Sequence, residues 1–441
     1  MLKKYIIALS KSWFINIIKK SFILQMLNMG FMLVSSVMLA RILGPEDYGQ
    51  LTYIMSIVGL LTIPVALGLP TYLTREVAKS LALEKDSYIK ALLTNATFLV
   101  TVSSLFVVGL VGLSVWVFEL EVGLALVLAS LSLFLVGFNQ VRMGILKGYH
   151  EIIKSQIPEK LIKPFFYIVF IAMAYIVFEE GLSVVHIIVL HLASLAVAFF
   201  FGLHYLKKFV LHKLPAQSTD TISSFKPMVV SLLPFSLLAG LQAINQNIDL
   251  VMLGALIEDE SEVAFFKIAF RISMFAFVMA NIVNSVINPR IAEMYSKKQF
   301  ERLQKFVSIG SLIGFLSTLV LSIFLFIWGN EIIVYLYGNE YKEVILPLII
   351  LLIGKLANTF FGPAGTLLMM VDKEKLVLKI NVLIIMARLV LDLFLIRNFG
   401  VMGAVFGVLL TTTVHSFSLF FIAKKTAGIN TTFLGLKLGK M

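Results

Sequence analysis

The sequence predicts an all-α integral membrane protein with about twelve transmembrane helices, arranged as two six-helix lobes around a central cavity. Three observations support this fold class. Of the 441 residues, 59% are hydrophobic and only 14% are charged, and the mean hydropathy is +0.96. Apolar stretches recur along the chain at the length of roughly 20 residues that a transmembrane helix needs. Basic residues are concentrated in alternate joints between these stretches.

The composition also excludes several classes of protein. A soluble domain is about half apolar and a quarter charged, so the chain is neither an ordinary soluble enzyme nor a disordered segment. It contains no cysteine, which rules out a disulfide scaffold, thiolate metal sites and cysteine nucleophiles. The net charge of +12 does not indicate nucleic-acid binding, because the basic residues are scattered over many loops and form no binding stripe.

Twelve spans can be marked, and the short joints between them carry nearly all of the charge. An N-lobe over 21–213 holds the first six, at about 21–43, 47–69, 91–115, 122–146, 161–179 and 182–206. The polar stretch LPAQSTDT at 214–221 is predicted to be a cytoplasmic linker. A C-lobe over 222–441 holds the other six, at about 228–254, 263–288, 306–328, 344–370, 376–396 and 401–423.

Residues 1–20 are predicted to form an interfacial amphipathic helix, because Trp13 and Phe14 stand among interspersed lysines. The segment has no small-residue cleavage site and so does not resemble a cleavable signal peptide. A membrane anchor without a part in transport is the simplest role for it.

The orientation of the spans follows from the Lys and Arg residues of the short joints. One set of joints carries 29 basic residues, and the opposite set carries only Arg41, Lys342 and Arg397. Both termini are therefore expected on the cytoplasmic side, as an even number of spans requires. Most of the positive charge then sets topology and contains no information about a substrate.

The two halves of the chain resemble each other in hydropathy at an offset of about 215–220 residues. The sixth and twelfth spans follow Gly181 and Gly400, and both end in a Lys-Lys pair. Halves of six spans have the same orientation, as in transporters built from parallel repeats, which open a central cavity alternately to each side. A helical bundle without a cavity, such as an assembly scaffold, is the other interpretation.

Six charged residues lie well inside the predicted spans of the second half. Such residues usually face a bundle interior or a wet cavity. Because four are cations and two are carboxylates, a cavity that they line favours an anionic substrate. They are Lys267, Arg271, Lys355, Arg388, Asp249 and Asp392.

The spacing of these residues suggests how they are used. Arg388 and Asp392 are four apart and share a helix face, so they either pair with each other or serve substrate binding or coupling. Lys267 and Arg271 have the same spacing, and Asp249 lies at a similar depth on the preceding antiparallel span. Arg271 is the best candidate for contacting an anion, because a guanidinium donates two parallel hydrogen bonds to phosphate.

Three further positions complete the set of candidates. Lys355 lies near mid-membrane with no acidic neighbour within a turn, which favours a cavity-lining role. Arg142 lies about five residues from the cytoplasmic end of its span, so snorkelling to the interface explains it. Gln25 and Asn28, three apart on the first span, either line the cavity or form hydrogen bonds between helices.

The sequence contains neither of two common enzyme motifs. His150-Glu151 is not followed by a second histidine at zincin spacing, and there is no Walker-type loop. We therefore expect a transporter with no catalytic residues, no cofactor and no bound metal.

Several motifs resemble those of polysaccharide and O-antigen flippases of the multidrug/oligosaccharidyl-lipid/polysaccharide exporter (MOP) superfamily. The most specific is LARILGPEDYG at Leu39–Gly49, at the joint between the first two spans. Others are Gly68-Leu69-Pro70 running into Arg75, NIDLVMLGAL at Asn247–Leu256 and LYGNEYKEVILPL at Leu336–Leu348. The resemblance covers essentially the whole chain.

The resemblance implies a flippase of the bacterial inner membrane that moves undecaprenyl-pyrophosphate-linked oligosaccharide to the outer leaflet for surface polysaccharide synthesis. Its expected partners are the lipid-linked oligosaccharide, membrane lipids and the polysaccharide polymerase machinery, and we expect a monomer. Arg271 and Lys355 would hold the pyrophosphate, supported by Lys267 and Arg388. Arg271 resembles the eighth-span arginine of the related lipid II flippases, whereas their arginine cluster in the first two spans has no counterpart before Arg41.

Two other functions stay open at this point. A drug/cation antiporter of the same superfamily would need an unpaired acidic residue in the cavity, and the first half offers none. A membrane glycosyltransferase or polymerase would need large external loops, and the longest outer joint covers only about 329–343.

Overall fold

The computed structural model describes residues 2–66, 68–119, 122–178, 181–215, 221–371 and 373–440, with their side chains except those of 2–18, 221–224, 285, 286, 288–290, 292, 293 and 437–440. Every regular element within these residues is helical.

Eight α-helices cover the first half of the described chain. They are α1 (Leu2–Ala66), α2 (Leu69–Ala82), α3 (Asp86–Phe118), α4 (Gly123–Ser130), α5 (Ser132–Gly148), α6 (Ile152–Ile157), α7 (Lys163–Phe178) and α8 (Val184–Phe209). The second half contains α9 (Thr221–Leu256), α10 (Ser261–Ser296), α11 (Phe300–Tyr337), α12 (Ile345–Phe361), α13 (Ala364–Met370) and α14 (Glu374–Ala427).

The prediction of an all-helical membrane protein is confirmed. Among the described residues, 9 helical segments are long and apolar enough to cross a bilayer. One of them, Lys19–Ala82, is 64 residues long and contains two of the predicted spans. The last two predicted spans lie in α14, a further helix of 54 residues. The structure therefore agrees with about twelve crossings.

Glycines with positive φ separate consecutive spans. α1 is broken at Gly44 (φ 75°) and α14 at Gly400 (φ 56°). Gly181, which precedes the sixth span as Gly400 precedes the twelfth, also has a positive φ of 122°. Because glycine adopts this conformation without a steric penalty, the residues that mark the sequence repeat also mark real breaks in the backbone.

An acidic side chain stabilises the break in α14. The Glu262 carboxylate accepts a hydrogen bond from the backbone N–H of Val401, the first residue after Gly400. A Cβ atom at position 400 would collide with that carboxylate. Glu262, in the first turn of α10, thus satisfies a backbone donor that the break leaves without a helical partner.

The chain divides into two compact units. Unit 1 contains Met1–Leu43 and Ile54–Asn247, and unit 2 contains Gly44–Tyr53 and Ile248–Met441. The lobes predicted over 21–213 and 222–441 stay a prediction, and residues 216–220 of the predicted linker lie outside the described residues. The predicted amphipathic face of residues 1–20 also stays a prediction, since the side chains up to residue 18 are not among those described.

Close packing in unit 1 places α5 deep inside it. The Thr74 hydroxyl of α2 donates to the Gly144 carbonyl of α5 at 3.2 Å. A Cβ atom at Gly144 would lie only 2.9 Å from the Cβ of Leu73. Glycine at this position lets α2 and α5 approach each other, so the polar residues of α5 are carried into the interior.

In unit 2, the segment after α14 folds back onto α11 and α12. We call residues 429–436 the C-terminal tail. Gln304 of α11 exchanges two hydrogen bonds with the backbone of Asn430, at 2.7 and 2.8 Å. The ring of Phe433 lies 5.1 Å from that of Phe315. The tail is therefore a packed part of unit 2.

Candidate functional site

The centre of the site in unit 2 is a buried ion-paired group on α9 and α14. The Arg388 guanidinium donates from Nη2 to Asp249 Oδ2 at 2.7 Å, and its Nε lies 3.6 Å from Asp392 Oδ2. The three side chains are at most 8% exposed. Arg388 and Asp392, one turn apart on the same helix, thus form an ion pair, which is one of the two interpretations of their spacing, and their role in substrate binding or coupling stays a prediction.

Asp249 accepts a hydrogen bond from α14. Its depth in the membrane suggested only that it could touch Lys267 and Arg271 of α10. The structure brings Asp249 to Arg388, 139 residues further along the chain. Both carboxylates of the candidate set thus lie at a single guanidinium, which ties α9 to α14.

A second cation lies beside this group. Asp249 and Asp392 lie close enough to interact electrostatically. Lys355 of α12 lies close enough to Arg388 for the two cations to interact as well. By formal charge, two carboxylates stand beside two cations here, and the candidate set contains two further cations, Lys267 and Arg271.

Lys355 lies against α10 as well. Its ammonium group stands 5.2 Å from the ring centroid of Phe270 and 5.5 Å from that of Phe277, within the range of cation–π attraction. Because these rings bracket two turns of α10, Lys355 lies beside the stretch of helix that carries Arg271. That Lys355 and Arg271 hold an anion together stays a prediction.

Lys267 and Arg271 form a half-buried pair of like charges on α10. They are one turn apart and close enough to repel each other. Like charges at this spacing destabilise a helix slightly, and an anion between them would relieve the repulsion. With Lys355 on the neighbouring helix, these residues can present two ammonium groups and one guanidinium to a phosphate.

Gln25 and Asn28 of α1 have separate contacts in unit 1. Gln25 Oε1 accepts a hydrogen bond from Lys160 Nζ at 2.8 Å. The Asn28 amide lies 3.6 Å from the sulfur of Met32 on its own helix. Their shared role in lining a cavity stays a prediction.

The expectation that Arg142 snorkels to the interface is wrong. The residue is 2% exposed. Its Nε donates to Asn139 Oδ1 at 3.2 Å and its Nη1 to the Ser155 carbonyl at 3.3 Å. Counting residues from the end of the span could not reveal this, because α6, which supplies Ser155, folds over the end of α5.

Sequence reasoning also missed the basic residues around Arg142 as candidates for a site. Lys147, Lys160 and Lys163 are among the 29 basic residues of the joints predicted to be cytoplasmic. All three are half-buried in the structure. Lys160 and Lys163 are three residues apart and therefore share one helix face at the start of the fifth span. This spacing is the feature of the sequence that could have indicated a site.

Comparison with known protein families gives two matches. Residues 16–295 match the family described as polysaccharide biosynthesis protein, and residues 234–394 match the MatE family. The first match covers well over half of the chain.

Two relatives are similar over nearly the whole chain. The capsular polysaccharide biosynthesis protein CapF of Staphylococcus aureus is 23% identical, over 88% of this chain and 93% of its own length. A probable low-salt glycan biosynthesis flippase of Haloferax volcanii, Agl15, is 21% identical over 90% of this chain and 80% of its own.

Solved transporter structures have the same fold. An inward-facing multidrug resistance MATE family transporter of the MOP superfamily aligns with a TM-score of 0.72 and 17% identity, over 94% of this chain and 96% of that one. The lipid II flippase MurJ, in an inward closed conformation, aligns with a TM-score of 0.70 and 14% identity, over 93% and 87%.

Proposed function

The chain belongs to the polysaccharide biosynthesis protein family, and from this premise we propose that it is a flippase for lipid-linked oligosaccharide. The substrate is an oligosaccharide joined through pyrophosphate to a polyprenol such as undecaprenol. It moves from the cytoplasmic to the outer leaflet of the bacterial inner membrane, for the synthesis of a surface polysaccharide. The names of CapF and Agl15 support this assignment.

One observation carries the proposal. Both carboxylates of the candidate set lie at Arg388, while Lys355 is held against the stretch of α10 that carries Arg271. The group as a whole keeps an excess of two positive charges. Anions are the substrates that such a group attracts in a medium of low dielectric.

Each cation has a distinct part in holding the pyrophosphate. Arg271 binds two phosphate oxygens through its planar fork, since a guanidinium matches that geometry. Lys267, one turn away, and Lys355, fixed by two aromatic rings, neutralise the remaining charge. Arg388 contributes through its position, because Asp249 and Asp392 hold it in place and offset its charge.

Transport then follows the alternating-access scheme of parallel-repeat transporters. The headgroup and glycan move through the protein, and the polyprenyl tail stays in the bilayer. Basic residues of the cytoplasmic joints set the topology, with both termini in the cytoplasm. We propose that the protein works as a monomer and delivers its substrate to polysaccharide polymerase machinery.

The alternatives receive less support. A cation antiporter needs a carboxylate that is available to the drug, but Asp249 and Asp392 both lie within pairing distance of Arg388. A glycosyltransferase needs a catalytic domain, and the family match and fold are those of transporters.

The test is charge reversal at Arg271 in a cell that depends on the protein for glycan export. Arg271→Glu should abolish export although the variant inserts at the wild-type level. Arg41→Ala, at an exposed position, is the control and should export nearly normally. Normal export by Arg271→Glu would contradict the proposal. Thermal protection of the purified protein by an organic cation, but not by a polyprenyl pyrophosphate, would favour the antiporter.

A further inference from the structure

A second basic group lies in unit 1, where α5 ends and α7 begins. Lys160 Nζ donates to Gln25 Oε1 at 2.8 Å. The ammonium group of Lys147, at the end of α5, lies close enough to that of Lys160 to repel it. Both lysines are half-buried. Two like charges are thus held near each other where water screens them incompletely.

Nearby charged residues leave this pair in positive excess. Lys154, six residues before Lys160, forms an ion pair with Glu151 at 2.9 Å, and its ammonium group lies 3.4 Å from the ring centroid of Phe209. Glu159 interacts with Arg142 and Lys163. In the ranges that the structure describes, no ion pair with a carboxylate is found for Lys147 or Lys160. The repulsion between the two ammonium groups destabilises the folded protein, and binding of an anion between them would offset it.

The position of Lys160 is set by an uncommon backbone element. Residues Pro158–Ile162 form a single π-helical turn, closed by a hydrogen bond from the Lys163 N–H to the Pro158 carbonyl. Such turns are rare and occur frequently at functional sites. The wider turn changes the direction in which side chains leave the helix, and here it accompanies the contact of Lys160 with α1.

Arg142 of α5 contacts both α6 and α8. It joins α5 to α6 through the Ser155 carbonyl. On its other side it fills the space beside Gly202 of α8, where a Cβ atom would collide with the guanidinium. α5, which carries Lys147, is therefore joined within unit 1 to α6, which leads into the π-helical turn that carries Lys160.

The donors of this group fit a phosphate. Each ammonium group offers N–H donors, and the Gln25 amide nitrogen adds two more, because Lys160 occupies the amide oxygen. We propose that Lys147, Lys160 and Gln25 form a second anion site, which takes a phosphate or pyrophosphate group. This inference rests on the proposed function in identifying that group as the headgroup of the flipped lipid.

The location suggests when the site acts. The charge distribution predicts that the end of α5 faces the cytoplasm, where the substrate is loaded. Lysine is a flexible and strongly hydrated point charge, in contrast to the fork of arginine. A lysine site therefore holds a headgroup less rigidly than Arg271 does, which suits loading before transfer.

The test is binding of inorganic pyrophosphate to the purified full-length protein, with Lys147→Gln/Lys160→Gln compared with the wild type. Loss of two charged donors should weaken binding by about tenfold or more. Without pyrophosphate, the variant should melt at the same or a higher temperature, since the repulsion is removed. A merely structural role predicts a lower melting temperature. Lys154→Gln is the matched control and should bind like the wild type.

Flipping assays in proteoliposomes separate this site from the one in unit 2. The double variant should need about tenfold more lipid-linked substrate for half-maximal rate, with a nearly unchanged maximal rate, whereas Arg271→Glu should lose the maximal rate. Unchanged pyrophosphate affinity in the double variant would overturn the inference. The inference would also be overturned if phosphatidylglycerol nanodiscs raised the melting temperature of the wild type and pyrophosphate did not. The lysines would then bind ordinary anionic lipid. Failure of the proposed flippase function would give a different result from failure of this inference. In that case no variant would change the flipping rate, but pyrophosphate binding would still depend on Lys147 and Lys160.

Discussion

The Arg388 guanidinium donates a 2.7 Å hydrogen bond to Asp249, a residue on another helix and 139 positions earlier in the chain. Asp392, on the same helix as Arg388, approaches the guanidinium at 3.6 Å. This arrangement gives the cation two carboxylates but gives each carboxylate only this one ion pair among the described residues. Removing the cation and removing one carboxylate should therefore have unequal effects.

We predict that Arg388→Met destabilises unit 2 far more than Asp249→Asn does. The first change leaves two buried carboxylates without their cation and should cost about 3–5 kcal/mol. The second leaves an intact Arg388–Asp392 pair and should cost about 1 kcal/mol. Thermal unfolding of the purified proteins in one detergent measures both. Equal losses would show that Asp392 does not share the guanidinium.

Lys355 should act on substrate and contribute little to stability. Lys355→Met is expected to weaken the apparent affinity for lipid-linked substrate by about tenfold, as expected for loss of a charge-assisted contact. Its melting temperature should change little, because the change removes the repulsion from Arg388 but also the two aromatic contacts, and these effects have opposite signs. Substrate titration of the flipping rate in proteoliposomes checks the first point.

The aromatic rings and an exposed lysine provide controls for Lys355. Phe277→Leu removes one ring and should reduce affinity less, in line with about 0.5–2 kcal/mol for a cation–π contact. Lys342→Met alters an exposed lysine of an outer joint and should leave affinity unchanged. A Lys355→Met variant with normal affinity and a lowered melting temperature would make Lys355 a structural residue.

The fold, and the pairing of charged residues one helical turn apart, can be predicted from the sequence. Hydropathy marks the spans because a helix in lipid must be apolar and satisfy its own backbone. The spacing of Arg388 and Asp392 predicts their pairing because residues four apart share a helix face. Gly181 and Gly400 could be singled out because a break between spans requires an unusual backbone conformation.

Contacts between helices that are distant in the chain cannot be predicted from the sequence in the same way. Neither spacing nor depth tells that Asp249 meets Arg388, since both α10 and α14 offered a cation. Arg142 was misjudged because its burial depends on α6 and α8, whose packing no local pattern encodes. The positive-inside pattern already explains Lys147 and Lys160. A lysine at the end of a span has the same sequence pattern whether it faces solvent or a ligand.

The break at Gly400 should tolerate no side chain. Gly400→Ala should destabilise the protein by about 1–3 kcal/mol, because a Cβ atom is strained at positive φ and would collide with the Glu262 carboxylate. Gly109→Ala is the control, since a Cβ atom there meets nothing within 4 Å inside a helix. Melting temperatures measure both. If Gly400→Ala melts at the wild-type temperature, the chain at this position can adopt a continuous helix without loss of stability.

The C-terminal tail should be needed for the stability of unit 2. Besides its bonds to Gln304, it supplies the Thr431 hydroxyl, which donates at 2.6 Å to the carbonyl of Phe361, the last residue of α12. A stop codon after Gly428 would leave that carbonyl and the Gln304 amide without these partners. Each of these hydrogen bonds contributes about 0.5–1.5 kcal/mol net, and the packing of the Phe433 ring is lost with them, so the truncated protein should unfold well below the wild-type temperature.

Two adjacent residues of the tail allow a matched test without truncation. The ring of Phe433 packs 5.1 Å from Phe315 and 5.5 Å from Phe360, whereas the side chain of Leu434 is 51% exposed. Phe433→Ala should therefore cost about 2–3 kcal/mol, somewhat less than a fully buried phenylalanine. Leu434→Ala should be nearly neutral. If the two variants unfold at the same temperature, the aromatic contacts do not hold the tail in place, and the hydrogen bonds to Gln304 and Phe361 must do so alone.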